Sequence, residues 1–266
     1  MPMTRIYVDG IGLLGPGLSG WEQAREVLAE RAPYAASATV LPPVEKLPPA
    51  ERRRVGVPVK LSMAIGLEAA RHAGADLTNL ATVFSSTEAD CDNTHAILEA
   101  LASSERAMSP TRFHNSVHNA PSGYWSIATG SMQPSTSLNT YDATFAAGLL
   151  EAATQIQSNG KPCMLLAFDT AFPEPIRRLR AISDAMGVAL VLSPQQTPAS
   201  RASLTLTLGD DAATPMPDSA LEQMRLDIPA ARSLPMLALL AQQRSGTVVV
   251  DYLESLSLAI EVSNIA

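Results

Sequence analysis

The clearest pattern in the chain is the run from Ser137 to Leu150, SLNTYDATFAAGLL, where apolar and polar residues alternate and then give way to an Ala-rich stretch of helical period. Alternation with period two predicts a strand, and apolar positions three and four apart predict an amphipathic helix. The same rules divide the rest of the chain. They predict a strand in RIYVDG, a helix in SGWEQAREVLAE, a Pro-rich loop through PPVEKLPP and a helix in KLSMAIGLEAARHAG. A strand in LATVFSS follows, then helices around NTHAILEALASS and from about Pro121 to Ala128, the strand STSLNT and the helix DATFAAGLLEAATQIQS. Strands are expected at PCMLLAFD, GVALVLS and ASLTLTL, then a polar linker from Gly209 to Asp218, a helix in SLPMLALLAQQ and strands in TVVVDY and LSLAIEV. Apolar strands interleaved with helices predict an α/β protein with a mainly parallel sheet covered on both faces.

Of the 266 residues, 46% are hydrophobic and 17% charged, a globular composition with no apolar run of the roughly 18 residues that a membrane span needs. The opening MPMTRIYVDGIGLLG lacks a basic region followed by an apolar run and a cleavage site, so no secretory signal is expected and the expected location is the cytoplasm. Cys91 and Cys163 are far apart and form no CxxC, which predicts two buried thiols. A net charge of -7 argues against a nucleic-acid partner, since phosphate neutralisation needs a basic face. The short clusters Arg52, Arg53, Arg54 and Arg177, Arg178, Arg180 are expected on solvated faces or loops.

Gly10-Ile11-Gly12-Leu13-Leu14-Gly15 is a literal GxGxxG after a strand. Its context is wrong for a dinucleotide, because Pro16 and Gly17 delay the helix and Pro33, Pro42 and Pro43 break the place of the second strand. The glycines are expected to serve close backbone approach, and no cofactor is expected.

A helix that starts directly after a strand turns its free N–H groups toward the joint, here Tyr141-Asp142. A cysteine in such a place would be a thiolate nucleophile, whereas an aspartate is expected to act as N-cap, worth about 1 kcal/mol.

The run from Asn115 to Ala153 resembles the segment of the beta-ketoacyl synthases, enzymes of the thiolase fold, that leads to the nucleophilic cysteine. Asn119, Gly123, Pro134, Thr140, Ala143 and the helix from Gly148 to Ala153 fall in register, and Asp142 falls on the cysteine. The opening IYVDGIGLLGPGLSGWEQAREVL is similar to the family's first strand, turn and helix. The resemblance covers roughly residues 4 to 208 and implies a thiolase-like fold with its amino-terminal half (1–208) largely complete and a strongly reduced carboxyl-terminal segment (209–266) completing the same domain.

Active relatives also use two histidines from the carboxyl-terminal half, but this chain's four are His72, His95, His114 and His118. An acyl group on Asp142 would be a mixed anhydride, and a carboxylate fixed by helix N–H groups is a poor nucleophile. The resemblance therefore implies a non-catalytic chain length factor that forms a heterodimer with an active ketosynthase, shapes its acyl tunnel and meets acyl carrier protein through the complex. The shorter forms that accompany aryl polyene systems are the most similar. The alternatives are a self-sufficient acyl transferase or hydrolase using Asp142 or an upstream histidine, and a small-molecule binding module on the same scaffold.

Phe113, His114, His118, Trp125, Tyr141 and Phe145 are the candidate tunnel or interface residues, since the elbow lies where the subunits of the relatives meet. The four-residue spacing of His114 and His118 could serve a metal on a helix, but Pro121 and the lack of an acidic or cysteine ligand favour a structural role. Asp90-Cys91-Asp92 with His95 reads as helix capping rather than a thiol-histidine site.

Overall fold

The computed structural model describes residues 5–88 and 90–265. Among the described residues, eight strands form one sheet in the order β3-β2-β4-β5-β1-β6-β8-β7. In chain order the elements are β1 (Ile6–Leu14), α1 (Trp21–Leu28), α2 (Pro49–Arg52), α3 (Val57–Ala73), β2 (Ala81–Ser86), α4 (Cys91–Ala102), α5 (Pro110–Asn115), α6 (Ala120–Thr129) and β3 (Ser135–Asn139). Then come α7 (Thr144–Asn159), β4 (Cys163–Asp169), β5 (Met186–Ser193), β6 (Ala202–Gly209), α8 (Ser219–Asp227), α9 (Leu234–Ala241), β7 (Gly246–Leu253) and β8 (Leu256–Asn264).

The sheet is not mainly parallel. Only β2–β3 and β2–β4 run parallel, and the five other pairings are antiparallel. The connections explain this. Helices α4 to α6 cross over between β2 and β3, and α7 follows β3 before β4, as parallel neighbours require. No α-helix lies between β4 and β5, and only Glu254 and Ser255 separate β7 from β8, so those pairs turn back on themselves. The apolar runs that suggested parallel strands have a different cause. Every residue of β4 and β5 is buried, because the sheet is covered on both faces.

One face carries α7, α1, α8 and α9 over a core that includes Phe145, Leu149, Trp21 and Leu237. The other carries α3 and α6, with Trp125 edge-on to Phe84 at 6.3 Å and Phe84 edge-on to Phe168 at 6.5 Å. The GxGxxG glycines belong to this second face. The motif lies within β1 up to Leu14, and a Cβ on Gly10 or Gly12 would come within 2.1 Å of the Ala69 carbonyl oxygen or 1.9 Å of that of Ile65. They let α3 lie directly on the strand.

Residues beyond Gly209 extend the same sheet, β8 pairing with β6 from Ala202↔Asn264 to Gly209↔Ser257. The expected outer limits at residues 1 and 266 lie outside the described residues. The polar linker also ends in α8, which the periodicity did not predict: Asp218 caps it through the N–H groups of Ala220 and Leu221. Likewise Ser109 caps the unpredicted α5 through Arg112 N.

Candidate functional site

The turn between β3 and α7 stands at the end of the sheet. Thr140 leaves β3, residues Tyr141–Ala143 form one 3-10 turn and α7 begins at Thr144. Tyr141 holds a left-handed backbone, φ 52°, which L residues adopt at a cost and which persists only where the surroundings enforce it. The enforcing contacts come from β2 and the residue just past its end. Thr87 Oγ1 donates to the Tyr141 carbonyl at 2.5 Å, and Ser85 Oγ donates to the Thr144 carbonyl at 2.7 Å.

Beneath the turn sits Asp169, 1% exposed at the end of β4. Its carboxylate accepts from Thr87 N at 2.7 Å, Ala230 N at 2.7 Å and Thr144 Oγ1 at 3.2 Å. One buried carboxylate thus ties β2's end, α7's first turn and the tail together. Burial pushes it up to about 6, against the pull of these same hydrogen bonds.

Asp142 is not the N-cap of α7. That position is Ala143, with no side-chain hydrogen bond, because the 3-10 turn moves the helix start beyond the aspartate's reach. The Asp142 carboxylate instead pairs with Arg180 Nη2 and lies 3.7 Å from Arg232 Nη2, while Arg232 Nη1 donates to the Asp142 carbonyl at 2.8 Å. Arg180 also stacks over the Tyr141 ring, 3.9 Å from its centre. From Arg232 the network continues through Asp251 at 3.8 Å to Arg225, which pairs with Glu222 at 2.8 Å. Arg177 and Arg178 share Glu174 on the surface as expected, but Arg180 belongs to the elbow.

The other candidates divide into surface and core. Phe113 is 62% exposed and Tyr141 63%, and Val117 and Ile127 are exposed too. His114 is exposed and edge-on to Tyr124 at 6.4 Å, whereas His118 donates from Nε2 to the Leu138 carbonyl at 2.9 Å. His114 is on α5 and His118 beyond its end, so they share no helix face, and no cluster of three potential metal ligands occurs among the described residues. Trp125 and Phe145 are buried in the chain itself, which makes them core residues rather than surface groups: α6 turns the indole onto Gly66 of α3, and α7 turns Phe145 into the opposite core. Asp90 caps α4 through Asn93 N at 3.0 Å, and His95 faces Glu99 rather than forming a thiol pair. Burial and nearby carboxylates push Cys91 up to about 11, and burial pushes Cys163 up to about 12, so neither is a thiolate near neutral pH.

Residues 21–253 match the family described as beta-ketoacyl synthase, N-terminal domain. The chain belongs to that family. Its fold is thiolase-like, with the amino-terminal ketosynthase domain occupying nearly all of the described residues. At 23% identity and TM-score 0.74 it is similar to a chain of the complex between ketosynthase ApeO and its chain length factor ApeC from Xenorhabdus doucetiae, covering 97% of this chain and 99% of that one. The ishigamide ketosynthase/chain length factor gives 14% identity and TM-score 0.71, with 98% and 100% covered. Ketosynthase twelve of the bacillaene polyketide synthase from Bacillus amyloliquefaciens gives 13% and 0.59, covering 80% of this chain and 46% of that one. These likenesses concern the fold. No curated protein matches the chain by sequence. No helix among the described residues is long and apolar enough to cross a membrane.

Proposed function

We propose that this member of the beta-ketoacyl synthase family is a non-catalytic, chain-length-factor-like subunit that pairs with an active beta-ketoacyl-ACP synthase in the cytoplasm. On this reading it shapes the partner's acyl tunnel in the synthesis of a polyene chain of the aryl polyene type, carried on acyl carrier protein. The observation that carries the reading is the elbow's occupant. The Tyr141-Asp142 joint holds a carboxylate engaged by Arg180 and flanked by Arg232, where an active enzyme would need a nucleophile with an adjacent base. A strained turn of this kind is where other enzymes mount a nucleophile, and the strained backbone here is that of Tyr141, a phenol.

The outer edge of β3 supports the heterodimer. That strand pairs only with β2 among the described residues, α6 with its exposed Ile127 packs against it, and exposed Tyr141 lies two positions beyond its end. An unpaired strand flanked by apolar side chains is a template for another chain's strand. The likeness to chains of two ketosynthase and chain length factor complexes, each covered almost completely, points the same way.

The test is twofold. Mixed with a ketosynthase that retains its cysteine and histidines, the chain should elute from gel filtration as a one-to-one complex. Intact-protein mass spectrometry after incubation with acyl carrier protein thioesters should find the acyl group on the partner. A stable acyl adduct on this chain would overturn the non-catalytic reading, and separate elution of the two proteins would overturn the pairing.

A further inference from the structure

Across the sheet from the elbow, a cleft of about 800 Å³ opens between α3, the turn around Gly17 and the irregular segment from Pro33 to Val44. Its size is that of a small-molecule site, about 300 to 1,000 Å³. Helix α3 supplies one wall with Lys60, Ala64, Leu67 and Arg71, which fall on one helix face at intervals of four, three and four. Leu14, Leu18 and Met63 make the cleft's interior apolar.

The polar side chains of the wall are not alike. Glu68 is engaged by the chain itself, accepting from Leu13 N at 2.9 Å and Trp21 N at 2.8 Å. Gln23 likewise accepts from Ser19 N at 3.0 Å and donates to the Gly17 carbonyl at 3.3 Å. Lys60 and Arg71 have neither a hydrogen bond nor an ion pair from their side chains among the described residues. They stand at the two ends of the apolar strip, about 16 Å apart along the helix axis at 1.5 Å per residue. In a chain of net charge -7, two unpaired cations bordering an apolar floor form a local site for an anion with a long apolar tail.

We propose that this cleft binds a linear aliphatic carboxylate, its chain lying along Ala64 and Leu67 and its carboxylate paired with Lys60 or Arg71. An inorganic anion would leave the apolar strip uncovered, and a neutral alkane would leave both cations unpaired. The proposal does not rest on the elbow's role, since α3 and α7 lie on opposite faces of the sheet.

Calorimetric titration of the full chain with decanoate, and with decanol as its neutral counterpart, tests it. Decanoate should bind at one saturable site and decanol about tenfold more weakly, as a hydrogen bond to a charged group implies. Lys60→Gln or Arg71→Gln should weaken decanoate about tenfold and leave decanol unchanged. Ala64→Trp should fill the strip and abolish binding. Val40→Asp, at a cleft residue that is 80% exposed, should weaken decanoate by repulsion without threatening the fold. Absence of saturable binding, equal affinity for acid and alcohol, or binding that survives both Val40→Asp and the two cation variants would overturn the proposal.

Discussion

Replacing Asp142 by cysteine, the residue that the resemblance to active ketosynthases puts at this position, tests what the aspartate does. If it were a simple N-cap, the change would cost about 1 kcal/mol and leave no trace elsewhere. The structure predicts another outcome. The Asp142 carboxylate faces Arg180 and Arg232, whose side chains are only 19% and 17% exposed. A hydrogen bond between charged groups is worth about 1.5 to 3 kcal/mol, but Asp142 is 38% exposed, so solvent screening brings the Arg180 pair to about 1 kcal/mol. The Arg232 charge at 3.7 Å adds about 1 kcal/mol at the screening of bulk water, and its bond to the Asp142 carbonyl survives the substitution. Asp142→Cys should therefore destabilise the chain by about 2 kcal/mol and still give no condensing activity without a partner. A double-mutant cycle of Asp142→Asn with Arg180→Met, read by urea denaturation, should give a coupling of about 1 kcal/mol that shrinks in 1 M salt, where screening acts within about 3 Å. A coupling below about 0.3 kcal/mol, or one indifferent to salt, would refute the ion-pair account.

Two further outcomes follow from burial. Asp169 is raised from 3.8 to about 6, so the unfolded chain gives up this proton first as pH rises. Its contribution to stability is then fullest below about pH 4, declines by about 3 kcal/mol through pH 6 and is flat above, and Asp169→Asn should remove that slope from urea midpoints taken between pH 4 and 7. Phe145→Ala should cost about 3 to 5 kcal/mol by cavity formation, while Phe113→Ala should stay within about 0.5 kcal/mol in the lone chain and lengthen the products of the complex. A thermal melt that moves equally for both, or product lengths unchanged by Phe113→Ala, would remove the division between core and interface.

Much of this architecture is written locally in the chain. The alternation in SLNT and the period of ATFAAGLLEAA define β3 and α7, and the steric demand of α3 explains why Gly10 and Gly12 stand in β1. Strand direction was not legible, because burial on both faces produces apolar runs in either orientation. Two missed helices did carry local marks: Ser109 before Pro110, and Asp218 four residues before Glu222, whose carboxylate accepts from Met216 N at 2.7 Å. Apolar periodicity outweighed them because α8 buries only Leu221, Met224 and Arg225.

The elbow's chemistry was least legible, for a reason of distance along the chain. The N-cap rule is local and weighs Asp142 against the next three residues, yet its partners Arg180 and Arg232 lie 38 and 90 positions away. The same holds for Asp169, whose acceptor role needs Ala230 N, 61 positions on. Both long-range ties bring in residues beyond Gly209. The segment beyond Gly209, expected to complete the domain, therefore supports the turn from below through Asp169 and from the side through Arg232, Asp251 and Arg225. A turn that no longer needed to aim a nucleophile would be free to relax into an ordinary cap with Asp142 on the helix N–H groups. Here the left-handed Tyr141 is held by Thr87 and stacked under Arg180, and the residue is 63% exposed two positions beyond the end of β3. On the proposed reading, that strain has a physical rationale if the exposed residue and its fixed position are what a second subunit meets.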